Sequence, residues 1–419
     1  MLSDFIADPE FRHPYCADRR NTHIFRGTRG ISQHVTGTDA THRSITMKHA
    51  ERNLALDAFR GMTICFMIIV NSPGTWDVAY APLLHASWHG FTPTDLVFPS
   101  FLFAVGNAMA FVMPKYESQG RAAFWNKVIR RTLLIFLLGY LMYWFPFFQQ
   151  SPEGGLMLRP IGETRIMGVL QRIALCYFFA AVILHVAKGR ILFWIGAGLL
   201  FGYWLISYFF GTPGDPYSLA GNAALKFDLA VFGPAHLYHG EGVPFDPEGL
   251  LSTFPAIVNV LLGFWAGQLI RKHGNSFETI AKLMLAGFIC ILVALAWNDS
   301  FPINKKLWTS SFVLLTSGID LMILPALIYL IEILKRTRFS YFFVVFGKNP
   351  LFIYLLSEVL LVTLYLIPAG GSSLQQQIYA GLRSFANPLN ASLLFALLYM
   401  LTCWLVGYVL DKRKIYIKV

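Results

Sequence analysis

Long blocks of apolar residues alternate with short polar segments along most of this chain. Each block is close to the roughly 20 residues that an α-helix needs to cross a lipid bilayer. They predict transmembrane helices at residues 54–70, 93–113, 131–148, 166–187, 191–210, 250–270, 279–297, 307–331, 342–366 and 389–410. The expected fold class is therefore all-α, a polytopic membrane protein with about ten helices in the lipid bilayer.

Lysine and arginine are distributed unequally between the two sets of loops that connect these helices. Leaving out the N-terminal tail, one set, which includes the C-terminus, holds 17 of them and the other holds 6. Residues 71–92, the first loop of the poorer set, contain none. Because positively charged loops stay in the cytoplasm, the bias predicts that both termini are cytoplasmic. The net charge of +11 is then a topological signal, and no nucleic-acid partner is needed to explain it.

The composition supports a membrane protein over a soluble one. The chain is 55% hydrophobic and 14% charged, with a mean hydropathy of +0.53, whereas a soluble domain is about a quarter charged. Its five cysteines are scattered singly, which favours neither a disulfide framework nor a metal site, and we expect no metal. Motifs of ATP-driven, dinucleotide-binding and zinc-hydrolase proteins are absent from the sequence.

The polar segments outside the helices differ in what they predict. Residues 1–46 lack the apolar core of a signal peptide, and Met47 stands just before the first apolar block. We therefore expect residues 1–46 to be a disordered tail or an over-long start, and residues 47–419 to form a single transmembrane domain. The longest external loop, residues 211–249, has a length that is often functional.

Ionisable residues inside a membrane are costly, so each of them needs an explanation. Asp57 and Arg60 lie on one face of the first predicted helix, where they can neutralise each other. This pair either fixes the entry of the helix or provides Arg60 to an anion site. Asp320 and Glu358 have no obvious partner in the sequence and are candidate site residues for that reason.

The stretch from Asn71 to Pro99 is the richest in reactive side chains. A histidine at a membrane boundary, here His85, can exchange protons near neutral pH or act as a nucleophile. Asp95 can orient its imidazole ring, and Asn71 can donate a hydrogen bond to a developing oxyanion. The alternative is an interfacial belt of tryptophan and histidine beside a helix cap. Spacing alone leaves both interpretations open.

Two further cations lie inside or at the end of predicted helices. Arg172 follows Gln171 in the fourth helix, and Lys348 opens the ninth at its cytoplasmic end. Both can bind phosphate groups. The alternative for each is a long side chain that reaches the membrane interface without binding a ligand.

Several motifs follow one another along the chain in an order that is more specific than any one of them. They are Leu56-Asp-Ala-Phe-Arg-Gly61, Val70-Asn71, His85-Ala-Ser-Trp-His-Gly90, Asp95-Leu-Val-Phe-Pro99, Gly168-Val-Leu-Gln-Arg172, His236-Leu-Tyr238, Phe245-Asp-Pro-Glu-Gly-Leu250, Asn304-Lys-Lys-Leu-Trp308 and Gly347-Lys-Asn349 leading to Glu358. Over residues 52–410 the series resembles the heparan-α-glucosaminide N-acetyltransferase family. It is also similar to bacterial relatives described as N-acetylglucosamine-associated membrane proteins.

The resemblance implies a transmembrane acetyl transfer. In the family, acetyl-CoA is used from the cytoplasmic side and the acceptor is a glucosamine amine on the far side. The family's catalytic histidine matches His85, and its asparagine and aspartate match Asn71 and Asp95. The resemblance also implies a multi-pass protein of the bacterial inner membrane and a homodimer. The motifs it covers make substrate-binding candidates of Trp88, His236, Asp246, Glu248 and Glu358.

The predicted topology is compatible with this chemistry. His85 lies in an external loop, so the acetyl group has to pass through the helical bundle to reach it, carried by the long, thin pantetheine arm. The anionic nucleotide end would remain at the basic inner face, where phosphate attracts cationic side chains. The candidates for that contact are Arg60, Arg130, Arg131, Lys348 and, closer to the external side, Arg172.

This chain departs from the lysosomal members of the family in three places. From the sequence we expect neither their extra luminal domain nor their added N-terminal helix, which count together as the first departure. The gap between Asn71 and His85 is a few residues longer, and His89 stands where the lysosomal enzyme has asparagine. These departures bear on the identity of the acceptor more than on the transfer chemistry.

Two other functions fit part of the sequence. A transporter of amino sugars accounts for the helices and the intramembrane charges, but not for the cluster around His85. A membrane acyltransferase that modifies a polysaccharide or lipid hydroxyl also uses a boundary histidine with an acyl-CoA donor. A purely structural role leaves Asp57, Arg172, Asp320 and Glu358 costly and unexplained.

Overall fold

The computed structural model describes residues 53–150 and 155–417, and the predicted tail at residues 1–46 lies outside them. Over the described residues the chain forms α1 (Leu54–Asn71), α2 (Pro93–Ser118), α3 (Arg121–Trp144), α4 (Val169–Val186), α5 (Arg190–Phe210), α6 (Ala223–Phe232), α7 (Thr253–His273), α8 (Phe277–Trp297), α9 (Ser310–Leu327), α10 (Ser340–Lys348), α11 (Pro350–Leu366), α12 (Leu374–Arg383) and α13 (Pro388–Lys412). Two short antiparallel pairs, β1 (Phe148–Gln150) with β2 (Leu156–Leu158) and β3 (Pro368–Ala369) with β4 (Ser372–Ser373), lie between helices.

The predicted membrane spans are confirmed as helices. Among the described residues, eight helices are long and apolar enough to cross a membrane, namely α1, α2, α4, α5, α7, α8, α13 and α9 with its π-helical continuation to Ile333. The consecutive helices α10 and α11 together make a ninth candidate. The third predicted span coincides with α3, which has 24 residues but carries Lys127, Arg130 and Arg131. The protein is therefore an all-α polytopic membrane protein.

The prediction of one continuous helix over residues 342–366 is wrong. The chain bends by 84° between α10 and α11, and Asn349 at the break has φ −133° and ψ 51°. Pro350 is the cause, because its ring disfavours helical geometry in the residue before it and it has no N–H to continue the helix. The break separates Lys348, at the end of α10, from Glu358 in α11. The charge bias predicts that Lys348 faces the cytoplasm.

Glycines allow the central helices to approach one another closely. A Cβ atom on Gly61 of α1 would lie 1.7 Å from the carbonyl oxygen of Phe343 in α10, and one on Gly347 would lie 2.2 Å from that of Asp57. Small residues at helix crossings are the usual means of close packing in membranes. By contrast, α5 and α8 have only 22% of their most apolar windows buried, as expected for helices that face lipid.

The long loop over residues 211–249, predicted to be external, is more ordered than an irregular connection. It contains α6 and a single 3₁₀ turn, Pro234–His236. The buried carboxylate of Asp228 in α6 accepts hydrogen bonds from the backbone N–H groups of Leu250 and Leu251, at 3.0 and 3.4 Å. The segment Asp246–Gly249 is therefore held against the bundle at the start of α7.

Candidate functional site

His85 and Asp95 form a contact at the beginning of α2. The Nδ1 atom of His85 lies 2.6 Å from Oδ1 of Asp95, whose side chain is fully buried, while the imidazole ring is 39% exposed. The second carboxylate oxygen accepts hydrogen bonds from the backbone N–H groups of Ala86 and Thr92, at 3.2 and 2.9 Å. Since the carboxylate accepts the Nδ1 proton, the Nε2 lone pair of His85 is available for chemistry.

The protonation of His85 is controlled by opposing influences. Partial burial lowers the pKa of its imidazole, and the positive charge of Lys305 lowers it further. The hydrogen bond and the negative charge of Asp95 raise it, but by less, so the pKa of His85 lies below its ordinary value. The imidazole is therefore neutral at neutral pH, as a proton acceptor or nucleophile must be.

A cluster of buried charges lies next to this pair. Arg165 donates two hydrogen bonds to Asp246, at 2.8 and 2.6 Å, and one to Glu248, at 2.7 Å. Lys305 lies 3.8 Å from the other oxygen of Glu248. Burial raises the pKa of Glu248, but the positive charges of Lys305, Arg165 and Arg172 outweigh it and lower that pKa. Glu248 therefore stays ionised and links the cluster to His85.

Arg165 and Lys305 are site residues that sequence reasoning missed. Both were counted only as positive charges on the external side. Lys305 stands inside the motif Asn304-Lys-Lys-Leu-Trp308, and Arg165 precedes α4 by a few residues. Their proximity to motifs is the one feature of the sequence that could have indicated Arg165 and Lys305, because the carboxylates that these two residues contact are distant in sequence.

A cavity of about 430 Å³ opens beside the charged cluster. Arg165 forms part of its wall, with its guanidinium carbon 4.9 Å from the ring centroids of both Tyr143 and Tyr238. The other lining residues are Arg159, Glu163, Ala235, Leu237 and His239. His236 supports the wall from behind, because its Nδ1 atom lies 2.8 Å from the carbonyl oxygen of Thr164.

Asn71 and Glu358 approach each other from α1 and α11. The side-chain amide of Asn71 donates a hydrogen bond of 3.5 Å to Glu358, and both side chains are partly exposed. Glu358 is also within electrostatic range of Tyr143, which lines the cavity. The predicted residues Asn71 and Glu358 are therefore brought to the same end of the bundle as Arg165.

Trp88 joins the loop around His85 to the long loop over residues 211–249. Its indole N–H donates a hydrogen bond of 2.9 Å to the carbonyl oxygen of Tyr217, and its ring packs on Phe245. Lys306 reinforces the junction by binding the carbonyl oxygen of Ser87 and the carboxylate of Glu241, at 2.9 and 2.6 Å. The loop around His85 is thus held in place from two sides.

The candidate donor-binding cations divide into two groups. Arg172 is fully buried at the start of α4, where it donates hydrogen bonds to Gly249 and Ser252 and lies 4.8 Å from the ring centroid of Trp308. These contacts place it with the cluster of Asp246 and Glu248.

The other four cations lie away from that cluster. Arg60 lies 3.6 Å from Asp57, Lys348 forms a 2.5 Å ion pair with Asp411, Arg131 packs on the ring of Tyr177, and Arg130 is exposed. A nucleotide phosphate that binds Lys348 has to displace Asp411, because the ammonium group of Lys348 is already paired with that carboxylate. Across residues 53–150 and 155–417, no group of three or more His, Cys, Asp and Glu side chains has the arrangement to hold a metal ion.

The fold and the site define a polytopic membrane protein with a histidine–carboxylate pair and a buried charge cluster at one end of its bundle. The family model for the catalytic region of heparan-α-glucosaminide N-acetyltransferase matches residues 52–298, more than half of the chain. The chain therefore belongs to this family. The match includes His85, Asp95 and Arg165 and ends before Lys305 and Glu358.

Two relatives carry the name heparan-α-glucosaminide N-acetyltransferase. The human protein is 29% identical over 359 residues, which are 73% of this chain and 52% of the human protein. The mouse protein is 27% identical over 399 residues, which are 82% of this chain and 59% of the mouse protein. The chain thus spans between half and three fifths of the length of these relatives.

Proposed function

We propose that the protein is a membrane N-acetyltransferase that moves the acetyl group of acetyl-CoA to the amine of a glucosamine-type sugar. The observation that carries the proposal is the 2.6 Å contact between His85 and Asp95, which leaves a neutral imidazole with Nε2 available for chemistry. The name of the family to which the chain belongs supports acetyl as the transferred group and a glucosamine as the class of acceptor.

The donor and acceptor approach the site from opposite ends of the bundle in this proposal. The charge bias of the loops supports a topology with His85 on the external side and the basic residues Arg60, Arg130, Arg131 and Lys348 on the cytoplasmic side, and the membrane in this proposal is a bacterial inner membrane. These cations attract the phosphates of acetyl-CoA. The acetyl group then reaches His85 through the bundle. A homodimer, as the resemblance implies, is part of the same proposal.

The proposal gives a role to each of the three central residues. His85 either removes a proton from the attacking amine or accepts the acetyl group first and passes it on. Both routes need the neutral imidazole, and Asp95 orients it and stabilises its protonated form. Asn71 contributes an amide N–H to the oxyanion that forms on the acetyl carbonyl. Such hydrogen-bond donors are worth about 10²- to 10³-fold in rate.

The acceptor sugar occupies the cavity beside Arg165. Its volume of about 430 Å³ falls in the range of small-molecule sites, which is about 300–1,000 Å³. Asp246 and Glu248 hold Arg165 in the cavity wall, His236 supports that wall, and Trp88 holds the loop that carries His85.

Reconstituted liposomes test the proposal. Labelled acetyl-CoA is supplied on one face of the membrane and glucosamine on the other, and labelled N-acetylglucosamine is measured. We expect the label to appear with the wild-type protein, to be absent with His85→Ala, and to persist with the matched variant His89→Ala, which changes an exposed histidine of the same loop. Uptake of unmodified sugar without acetyl-CoA would instead identify a transporter.

A further inference from the structure

Glu358 is a carboxylate at the site to which the proposed reaction gives no chemical task. It lies in α11, beyond the break at Asn349, and its side chain is partly exposed. Among the described residues no lysine, arginine or histidine lies within ion-pair distance of it, and its hydrogen-bond partner is the amide of Asn71. A carboxylate in a membrane protein that carries no cation of its own marks a functional position.

The groups that face Glu358 come from four helices. Asn71 approaches from α1, Tyr143 from α3, Tyr354 from the preceding turn of α11, and Tyr399 from α13. The hydroxyl of Tyr399 is itself engaged, because it donates to the carbonyl oxygen of Ser357. The surroundings of Glu358 are thus amide and phenol groups, with no charge that neutralises it.

The proposed reaction removes two protons from the acceptor nitrogen. A sugar amine arrives mainly as an ammonium ion at neutral pH or below, and an ammonium nitrogen has no lone pair with which to attack a thioester. It loses one proton before the attack and a second one when the amide forms. The neutral imidazole of His85 accepts one proton at a time, and the thiolate of CoA does not yet exist when the first proton leaves. A second base at the site therefore lets both protons leave without His85 first releasing the one it has taken.

The remaining carboxylates of the site are poor candidates for this base. Asp246 accepts two hydrogen bonds from Arg165, and Glu248 is held by Arg165 and by Lys305 at 3.8 Å. These cations stabilise the ionised form of Glu248 and lower its pKa, so it binds protons weakly. Asp95 is fully buried under His85. Glu358 alone of these residues is both partly exposed and without a cation.

We propose, on the basis of the acetyltransferase function above, that Glu358 binds the acceptor's ammonium group and removes its first proton. The ammonium N–H bond breaks, the proton passes to the carboxylate of Glu358, and the nitrogen keeps the electron pair. The free amine attacks the acetyl carbon, the C–N bond forms, and the C–S bond breaks with its electron pair leaving on the sulfur of CoA. The second proton of the nitrogen passes to Nε2 of His85. Glu358 and His85 then release their protons to water.

The pH dependence of Glu358→Gln separates this role from a structural one. The variant can use only acceptor that arrives as free amine. While Glu358 is ionised, the wild type uses both the ammonium and the free-amine form of the acceptor. Over that pH range the ratio of the variant's kcat/KM for the acceptor to that of the wild type therefore rises by up to about tenfold per pH unit until the pKa of the acceptor amine, and is constant above it. Taking the ratio removes the titration of His85, which both proteins share. An acceptor whose amine has a lower pKa restores the variant at lower pH.

Three further variants complete the experiment. Glu358→Asp keeps the carboxyl group and is expected to keep the pH profile of the wild type at a reduced rate. Asn71→Ala removes an amide but leaves both proton acceptors in place, so its ratio to the wild type is low and does not show the rise of about tenfold per pH unit expected for Glu358→Gln. Glu332→Gln makes the same substitution at a carboxylate outside the proposed site, which accepts a hydrogen bond of 3.1 Å from the N–H of Ala55, and its ratio is also constant.

The outcomes distinguish the inference from the proposed function. A Glu358→Gln protein that folds and whose ratio does not change with pH overturns the inference while the wild type still transfers acetyl groups. A Glu358→Asp protein with a profile unlike that of the wild type overturns it as well, should the glutamine variant fail to fold. A wild-type protein that transfers no acetyl group to any amine contradicts the proposed function itself.

Discussion

The Nδ1 atom of His85 lies 2.6 Å from Oδ1 of Asp95, and the same carboxylate binds the backbone on both sides of the turn that enters α2. One side chain therefore orients the imidazole, holds the loop and caps the helix. A ring fixed in this way keeps its Nε2 edge in one direction, which a positioned base or nucleophile requires.

Asp95→Asn tests the orienting role. The side-chain oxygen of asparagine can still accept the hydrogen bond from the N–H of Thr92, so the helix start is retained. However, the amide can no longer accept the Nδ1 proton and stabilise the imidazolium as a charged group does. We expect kcat to fall by about 10²-fold or more while the melting temperature in detergent changes little. An unchanged kcat would contradict the role given to the carboxylate.

Lys305→Met tests the electrostatic control of His85. The lysine lowers the pKa of the imidazole, so its removal raises that pKa. Activity that needs neutral His85 is lost as pH falls through this pKa, and the acidic limb of the kcat/KM profile therefore moves to higher pH in the variant. Lys305→Arg retains the charge and serves as the control. If the acidic limb moves equally in both variants, the positive charge of Lys305 does not control the pKa of His85.

Arg165→Met tests the charge cluster. The substitution leaves two buried carboxylates, Asp246 and Glu248, without their hydrogen-bonded cation. Removing one partner of a buried ion pair is costly, and we expect a loss of about 3 kcal/mol in the free energy of unfolding, read as a lower melting temperature. Arg159→Met is the control, because the guanidinium of Arg159 donates a 3.3 Å hydrogen bond to the carbonyl oxygen of Tyr143 and has no carboxylate within ion-pair distance among the described residues. Similar melting temperatures for both variants would contradict the prediction.

Gly61→Ala tests the close packing of α1 on α10. The added Cβ would lie 1.7 Å from the backbone oxygen of Phe343, so the two helices have to separate. Overpacking of this kind costs about 1–3 kcal/mol, and we expect a clear drop in the melting temperature. Gly198→Ala on α5 meets no atom within 4 Å and gains helix propensity, so it should be neutral or slightly stabilising. An unchanged melting temperature for Gly61→Ala would contradict the close packing of α1 on α10.

The site was predictable from the sequence where its residues lie close together along the chain. His85 and Asp95 are ten residues apart in one loop and helix start, so a local turn brings them together. Arg165 and Asp246 are separated by 81 residues, and Asn71 and Glu358 by 287. Pairs of this kind are made by helix packing, and no local pattern encodes them.

By itself the sequence determined the class of fold and the positions of the membrane helices, because the length and apolarity of a segment decide whether it crosses a bilayer. It also determined that His85 lies in a loop without lysine or arginine. Only the tertiary structure decided that α10 and α11 are bent by 84° at Asn349, and that Lys305 lies near enough to His85 to lower its pKa. Hydropathy specifies neither feature. The break follows from the local geometry before Pro350, and the proximity of Lys305 to His85 depends on packing between segments distant in sequence.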